Sequence, residues 1–253
     1  MPDQEFFREI EHREVPWGDR KVYVPLFYQE VESLAALFSA STTAVRSLLP
    51  SERIHPIPVS RQRCLVAISA HEFRTCDIGP YNEVGISVPF TLDKRSSIVG
   101  PWLGRSRGES MGYIHQLPVT TEIARDLGVE LAGYPKFLAR IEYEEDDRWR
   151  TCRLAEDGQH ILTLAGRKLE THAAARFRHH SFTTRNGMLL RSELIISERK
   201  VSASRKPRDV RLKLGPHPIA RQLASLDIGR PVGFSHTPSY QIILTPVLEG
   251  LPA

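Results

Sequence analysis

The chain has 253 residues, 41% of them hydrophobic and 25% charged, an ordinary balance for a globular protein. Its 34 Lys and Arg against 30 Asp and Glu leave a formal charge of +4, compatible with an anionic small molecule and too small to imply a nucleic-acid partner. Three cysteines, Cys64, Cys76 and Cys152, show no CxxC spacing, which argues against a disulfide scaffold or a cysteine zinc site and for a reducing compartment.

The opening MPDQEFFREIEHREVPWGD has no apolar run and does not read as a signal peptide. No segment approaches the roughly 18 apolar residues of a bilayer span, so no membrane partner is expected and the expected location is cytoplasmic. Short apolar or alternating runs predict strands at Lys21–Tyr28, Gln62–Ser69, Tyr81–Phe90, Gly112–Leu117 and Lys136–Tyr143. Further strands are predicted at Thr151–Leu154, Ile161–Ala165, Leu189–Glu198, Val210–Leu214 and Tyr240–Pro246. Helical spacing predicts helices at Val31–Phe38 and Thr43–Leu48, stopping at Pro50. Thr121–Ala132 carries Ile123, Leu127 and Leu131 as a one-faced stripe behind a threonine cap, and Pro218–Leu226 is a fourth helix candidate. Asp157-Gly158 and Asn186-Gly187 are hairpin signals, because a type I′ turn needs positive φ at both central residues. The irregular stretch Asp93–Ser110, which holds Trp102, reads as a loop over a site or at an interface. Without repeats or a long linker, residues 1–253 are expected to form one β-rich α+β domain, with residues 1–19 open to reading as an extended arm.

Two segments stand out chemically. In GPYNEVGISVPF, alternation sets Asn82, Val84, Ile86, Val88 and Phe90 on one face and Tyr81, Glu83, Gly85, Ser87 and Pro89 on the other. A carboxylate among small residues fits a pocket floor or a solvent face, and alternation does not choose between them. In GVELAGYPKFLARIEY a helix is expected to end near Gly133, with Lys136 opening a strand beside Leu138, Arg140 and Glu142. Periodicity alone reads Lys136 as a surface lysine.

Other chemistries fit poorly. His179-His180 and the scattered histidines lack metal-ligand spacing. There is no GxSxG elbow, no GxxxxGK[ST] and no GxGxxG after a strand. The basic run Glu198–Lys213 has no interleaved aromatics for base stacking and reads as a solvated connection, so no nucleic-acid partner is expected.

The order Arg20, YNE ending in Glu83, YIH at Tyr113–His115 and ELAGYPK ending in Lys136 resembles acetoacetate decarboxylase and its relatives. VRLKL (Val210–Leu214), HPIARQLASL (His217–Leu226) and QIIL (Gln241–Leu244) extend the resemblance to residues 20–247. It implies a closed, cone-like antiparallel β-barrel with a few packed helices outside, a reactive lysine inside, a homo-oligomer and no cofactor. It also implies a carbon–carbon lyase that decarboxylates a β-keto acid, acetoacetate or a homologue, through a Schiff base on Lys136.

A lysine attacks a ketone only as the free amine, and an unperturbed lysine is about 0.1% neutral at pH 7.4. By the resemblance, Lys136 is the nucleophile and Glu83 handles protons or steers the β-carboxylate. Arg20 anchors a carboxylate or holds Glu83, through the planar fork of donors that arginine offers. Tyr134 and Tyr113 are candidates to bind substrate, with packing roles as the alternative. Two departures stand out. The second lysine that follows the family's nucleophile is Phe137 here, which leaves desolvation to favour the neutral amine. Cys64-Leu65-Val66 occupies the stretch of the family's second glutamate, and the nearest carboxylate, Glu72, comes several residues late. Relatives that lose such partners can act as aldolase-dehydratases on pyruvate and an aldehyde, which is the alternative reading; a non-catalytic small-molecule-binding barrel is another.

Overall fold

The computed structural model describes residues 5–8, 10–96, 109–173 and 176–252, so Trp102 and most of the predicted Asp93–Ser110 loop lie outside the described residues. A single helical turn, α1 (Glu5–Arg8), precedes the hairpin of β1 (Arg13–Trp17) and β2 (Arg20–Val24). Next come β3 (Leu26–Ser41), α2 (Thr42–Arg46), β4 (Ile54–Pro56), β5 (Arg63–Cys76), β6 (Tyr81–Leu92) and β7 (Glu109–Gln116). Helix α3 (Glu122–Ala132) leads to β8 (Arg140–Glu145), β9 (Trp149–Glu156), β10 (Gln159–Arg167) and β11 (His172–Ala173). The chain ends with β12 (Arg176–Arg185), β13 (Met188–Ser204), β14 (Val210–Leu214), α4 (Pro218–Ser225), β15 (Pro231–Leu244) and β16 (Glu249–Pro252).

Seven strands close into a barrel in the order β3–β5–β6–β7–β12–β13–β15, with β15 returning to β3. Every neighbouring pair is antiparallel except β7 and β12, which run parallel. The exception follows from connectivity: the chain between them carries α3 and three of the four strands of a second sheet, and a crossover of that length lets a strand return in the same direction. That second sheet, in the order β14–β10–β9–β8, lies on the outer wall of β3, β5 and β6. Leu34, Phe38, Ile68, Ile86 and Phe90 of the barrel pack there against Ile141, Leu154, Leu162 and Leu164. Among the described residues no helix is long and apolar enough to cross a membrane.

Both hairpin signals form turns at positive φ, 48° and 76° at Asp157-Gly158 and 52° and 74° at Asn186-Gly187. The helix predicted at Val31–Phe38 is instead the middle of β3. One face of that strand meets the second sheet and the other lines the barrel, so both faces are apolar and the run loses the alternation of a half-exposed strand. The strand predicted from Lys136 begins at Arg140, and residues 136–139 are an extended connection. Most of the basic run Glu198–Lys213 lies in β13 and β14 rather than in an open loop. On α3 the buried residues are Ala124, Leu127, Gly128 and Ala132, so the helix turns a stripe of small side chains at i, i+4 and i+8 toward the barrel. Neither preceding threonine caps it: Thr120 Oγ1 instead accepts from the Asn82 N–H at 2.9 Å, and Thr121 makes no capping bond.

Candidate active site

The backbone sets Lys136 beside Glu83 before any side chain is considered. Val119 bridges antiparallel to Glu83 and parallel to Leu138, so one residue registers both segments. Bonds from Leu117 N to Pro135 O (3.2 Å), Val119 N to Phe137 O (2.9 Å) and Ala139 N to Val119 O (2.9 Å) complete the ladder. The chain reaches this ladder from α3 through Gly133, whose φ of 66° and ψ of 21° are left-handed. Tyr134 N and Gly133 N then bond to the Gly128 and Val129 carbonyls, a helix stop suited to glycine.

Within that frame Lys136 Nζ lies 2.7 Å from Glu83 Oε2, with the two side chains 4% and 12% exposed. The ammonium stands 5.5 Å from the ring centre of Tyr81 and 5.8 Å from that of Tyr134. Tyr134 is fixed by a 2.6 Å hydrogen bond between its hydroxyl and Ser181. Tyr81 donates to the Tyr28 hydroxyl at 3.3 Å. Burial raises the phenol of Tyr134 to about 12 and pushes those of Tyr28 and Tyr81 well above the ordinary range, so all three remain neutral. A narrow apolar cleft, partly open to solvent, leads to Lys136 between Leu26, Tyr28, Ala124, Gly128 and Leu244.

Alternation along β6 thus takes the pocket reading. Tyr81 and Glu83 face the barrel interior, while Val84, Ile86, Val88 and Phe90 enter the core under the second sheet. Of the other expected site residues, Tyr134 joins Lys136 and Glu83. Tyr113 lies on the opposite face of β7, in the core beneath the second sheet, with its hydroxyl 3.1 Å from Thr184 Oγ1. Arg20 is exposed as the first residue of β2, paired with Trp17 beside the hairpin turn, and is not brought to Glu83. Glu72 faces out of the barrel, bonded to Arg74 and Arg150.

Two histidines missed as site residues line the same interior. His71, on β5, pairs directly across from Glu83, and its Nδ1 lies 2.6 Å from the Tyr240 hydroxyl. His179, on β12, has Nδ1 2.8 Å from Ser110 Oγ. Burial lowers both imidazoles, His179 to about 4. The predicted strand Gln62–Ser69 stopped two residues short of His71. For His179 a signal existed: a hairpin turn at Asn186-Gly187 requires a strand on each side, and β12 is the one before it.

The model of the family described as "Acetoacetate decarboxylase (ADC)" matches residues 13–246. No curated protein matches the sequence. The fold is similar to that of acetoacetate decarboxylase from Legionella pneumophila, with a TM-score of 0.70, 16% identity and coverage of 89% of this chain and 88% of that one. A second acetoacetate decarboxylase structure gives a TM-score of 0.64 at 19% identity, covering 94% and 91% of the two chains. The enduracididine biosynthesis enzyme MppR complexed with pyruvate gives 0.60 at 9% identity, covering 90% of each.

Proposed function

The chain belongs to the acetoacetate decarboxylase family, and from that premise we propose that Lys136 forms a Schiff base with a small keto acid. The protein is then a carbon–carbon lyase that decarboxylates a β-keto acid, acetoacetate or a homologue. The observation that carries this reading is the buried Lys136–Glu83 contact of 2.7 Å at the end of an apolar cleft.

Each charge taken out of water costs several kcal/mol. A proton moving from Nζ to Oε2 relieves both charges and frees the lone pair. The amine adds to the ketone, and loss of water gives an iminium whose charge the Glu83 carboxylate balances. Cleavage of the bond to the substrate carboxylate sends its electron pair into the iminium, leaving an enamine and CO₂. Protonation of the enamine carbon and hydrolysis release the ketone and restore Lys136.

Aldol-dehydration of pyruvate with an aldehyde is the second reading. It is favoured by the group opposite Glu83 being a neutral imidazole, His71, and not a carboxylate that could drive decarboxylation by repulsion, and by Phe137 beside the lysine. A solved structure of the same fold holds pyruvate, which fits that reading.

The test is incubation with acetoacetate or pyruvate, addition of borohydride and peptide mapping, with CO₂ release measured in parallel. A reduced adduct on Lys136 with CO₂ from acetoacetate is the expected result. An adduct from pyruvate without CO₂ from any β-keto acid selects the second reading. No adduct with either acid leaves a barrel that binds small molecules without catalysis.

A further inference from the structure

Once an iminium forms on Lys136, the Glu83 carboxylate is its counterion, 2.7 Å from the nitrogen. The carbon next to the iminium still has to lose or gain a proton, and that proton needs another carrier. Tyr28, Tyr81, Tyr134 and Tyr240 are unsuited, because burial raises each phenol, and the Cys76 thiol is pushed up to about 11 by burial.

His71 is the group in place. It stands directly opposite Glu83 on the neighbouring strand, where facing residues have Cβ atoms about 4.5–5.5 Å apart. Its ring is held on two sides: Phe73 stacks on it at 5.8 Å with an interplanar angle of 10°, and the Tyr240 hydroxyl engages Nδ1 at 2.6 Å. With Nδ1 engaged, Nε2 is the ring nitrogen left for proton transfer. The charges of Glu83 and Lys136 both act on this imidazole, whereas His179 neighbours His180 and His71.

We propose that His71 is the catalytic acid–base residue of the Lys136 site, exchanging a proton with the carbon adjacent to the iminium while Glu83 serves the nitrogen. The proposal rests on the Schiff-base reading above. In the forward step Nε2 takes a proton from that carbon, the C–H electron pair becomes the enamine double bond, and the iminium nitrogen becomes neutral. The imidazolium so formed faces the Glu83 carboxylate. In reverse it returns the proton to the enamine carbon; after decarboxylation, in which no C–H proton has been abstracted, Nε2 first takes a proton from water and then delivers it to that carbon. Tyr240 is a positioning residue that accepts from Nδ1–H and keeps the Nε2 lone pair toward the substrate.

Two measurements separate this role from Schiff-base formation: borohydride trapping reads the nitrogen, and deuterium uptake into the methyl group of pyruvate in D₂O, followed by proton NMR, reads the carbon. Wild-type protein that traps no keto acid overturns the Schiff-base reading before any His71 variant is made. Given trapping, His71→Gln is expected to trap within threefold of wild type and to lose at least 100-fold of the deuterium uptake. Uptake within tenfold of wild type in a variant that still traps overturns the proposal. Should His71→Gln fail to fold, Tyr240→Phe carries the test, since it keeps the imidazole and removes the partner of Nδ1. A drop of tenfold or more in uptake with trapping retained supports the role of His71, and unchanged uptake sinks it.

Discussion

Gly128 of α3 lies against the stem of Lys136: a Cβ built on this glycine would stand 2.5 Å from both Cδ and Cε of the lysine. Glycine inside a helix costs about 1 kcal/mol relative to alanine, so its presence here is explained by the side chain that passes it. Gly128→Ala is expected to destabilise the fold by about 2 kcal/mol, because the lysine yields and the loosened buried pair with Glu83 outweighs the gain of about 1 kcal/mol from alanine in the helix. Displaced from Glu83, Lys136 should lose at least tenfold in borohydride trapping. Thermal melting and trapping on the same sample check both halves, and unchanged trapping would show that the lysine tolerates the shift.

The Lys136–Glu83 pair should be strongly coupled in stability. Removing one partner of a buried ion pair costs about 3–5 kcal/mol, because the other charge is left uncompensated. Lys136→Met and Glu83→Gln are each expected to destabilise by about 3 kcal/mol, and the double variant by clearly less than their sum. Urea unfolding of the four proteins measures the coupling; additive losses would mean that the two groups do not interact.

Acid should destabilise the protein through its buried imidazoles. Burial, with His180 and His71 adding, holds His179 at about 4 in the fold against 6.5 in the unfolded chain. Between those values the unfolded chain binds the extra proton, so this contribution is full above 6.5 and is lost as pH falls toward 4. The loss is about 2 kcal/mol by pH 5 and about 3 kcal/mol over the whole window. His71, also lowered by burial, acts in the same direction. Comparing urea midpoints at pH 7 and pH 5 for wild type and His179→Gln checks this, with a flatter dependence expected in the variant.

A second buried charge cluster should contribute to stability without touching catalysis. Burial opposes the charge on Glu32, yet the His236 hydrogen bond and the charges of Arg150 and Arg74 hold its carboxyl below the usual range. Arg150 Nε lies 3.3 Å from Glu32 Oε1, its Nη1 3.2 Å from Glu145, and its Nη2 bonds Glu72. Arg150→Met is expected to cost about 3 kcal/mol while leaving Lys136 trapping per folded molecule within twofold. A trapping defect larger than the folded fraction accounts for would tie this cluster to the site.

The two candidate tyrosines should separate. Tyr113→Phe removes a hydrogen bond to Thr184 outside the cavity and is expected to cost about 1 kcal/mol with trapping unchanged. Tyr134→Phe releases a ring 5.8 Å from the Lys136 ammonium from its bond to Ser181 and is expected to lower trapping severalfold. The reverse pattern would move the substrate to the other side of β7.

What the sequence determined by itself was local or carried by motif order. The positive-φ turns at Asp157-Gly158 and Asn186-Gly187 follow from residue type, as does the stop of α3 at Gly133. The sequence of Arg20, Glu83, Tyr113 and Lys136 pointed to the family, and the family to the barrel. Only the tertiary structure decided which faces look inward. Closure of the barrel turned the polar face of β6 into an interior wall, so Glu83 became a buried partner instead of a solvent residue. The second sheet covered the outer wall and made β3 apolar on both sides, which concealed its period of two. His71 came to face Glu83 because pairing of β5 with β6 set the two opposite each other, a relation between strands that the spacing along one strand does not encode. Lys136 shows the limit most directly. Its own segment reads as surface, and its shelter comes from Gly128, Tyr81 and Tyr134, brought around it by the helix stop and the ladder through Val119.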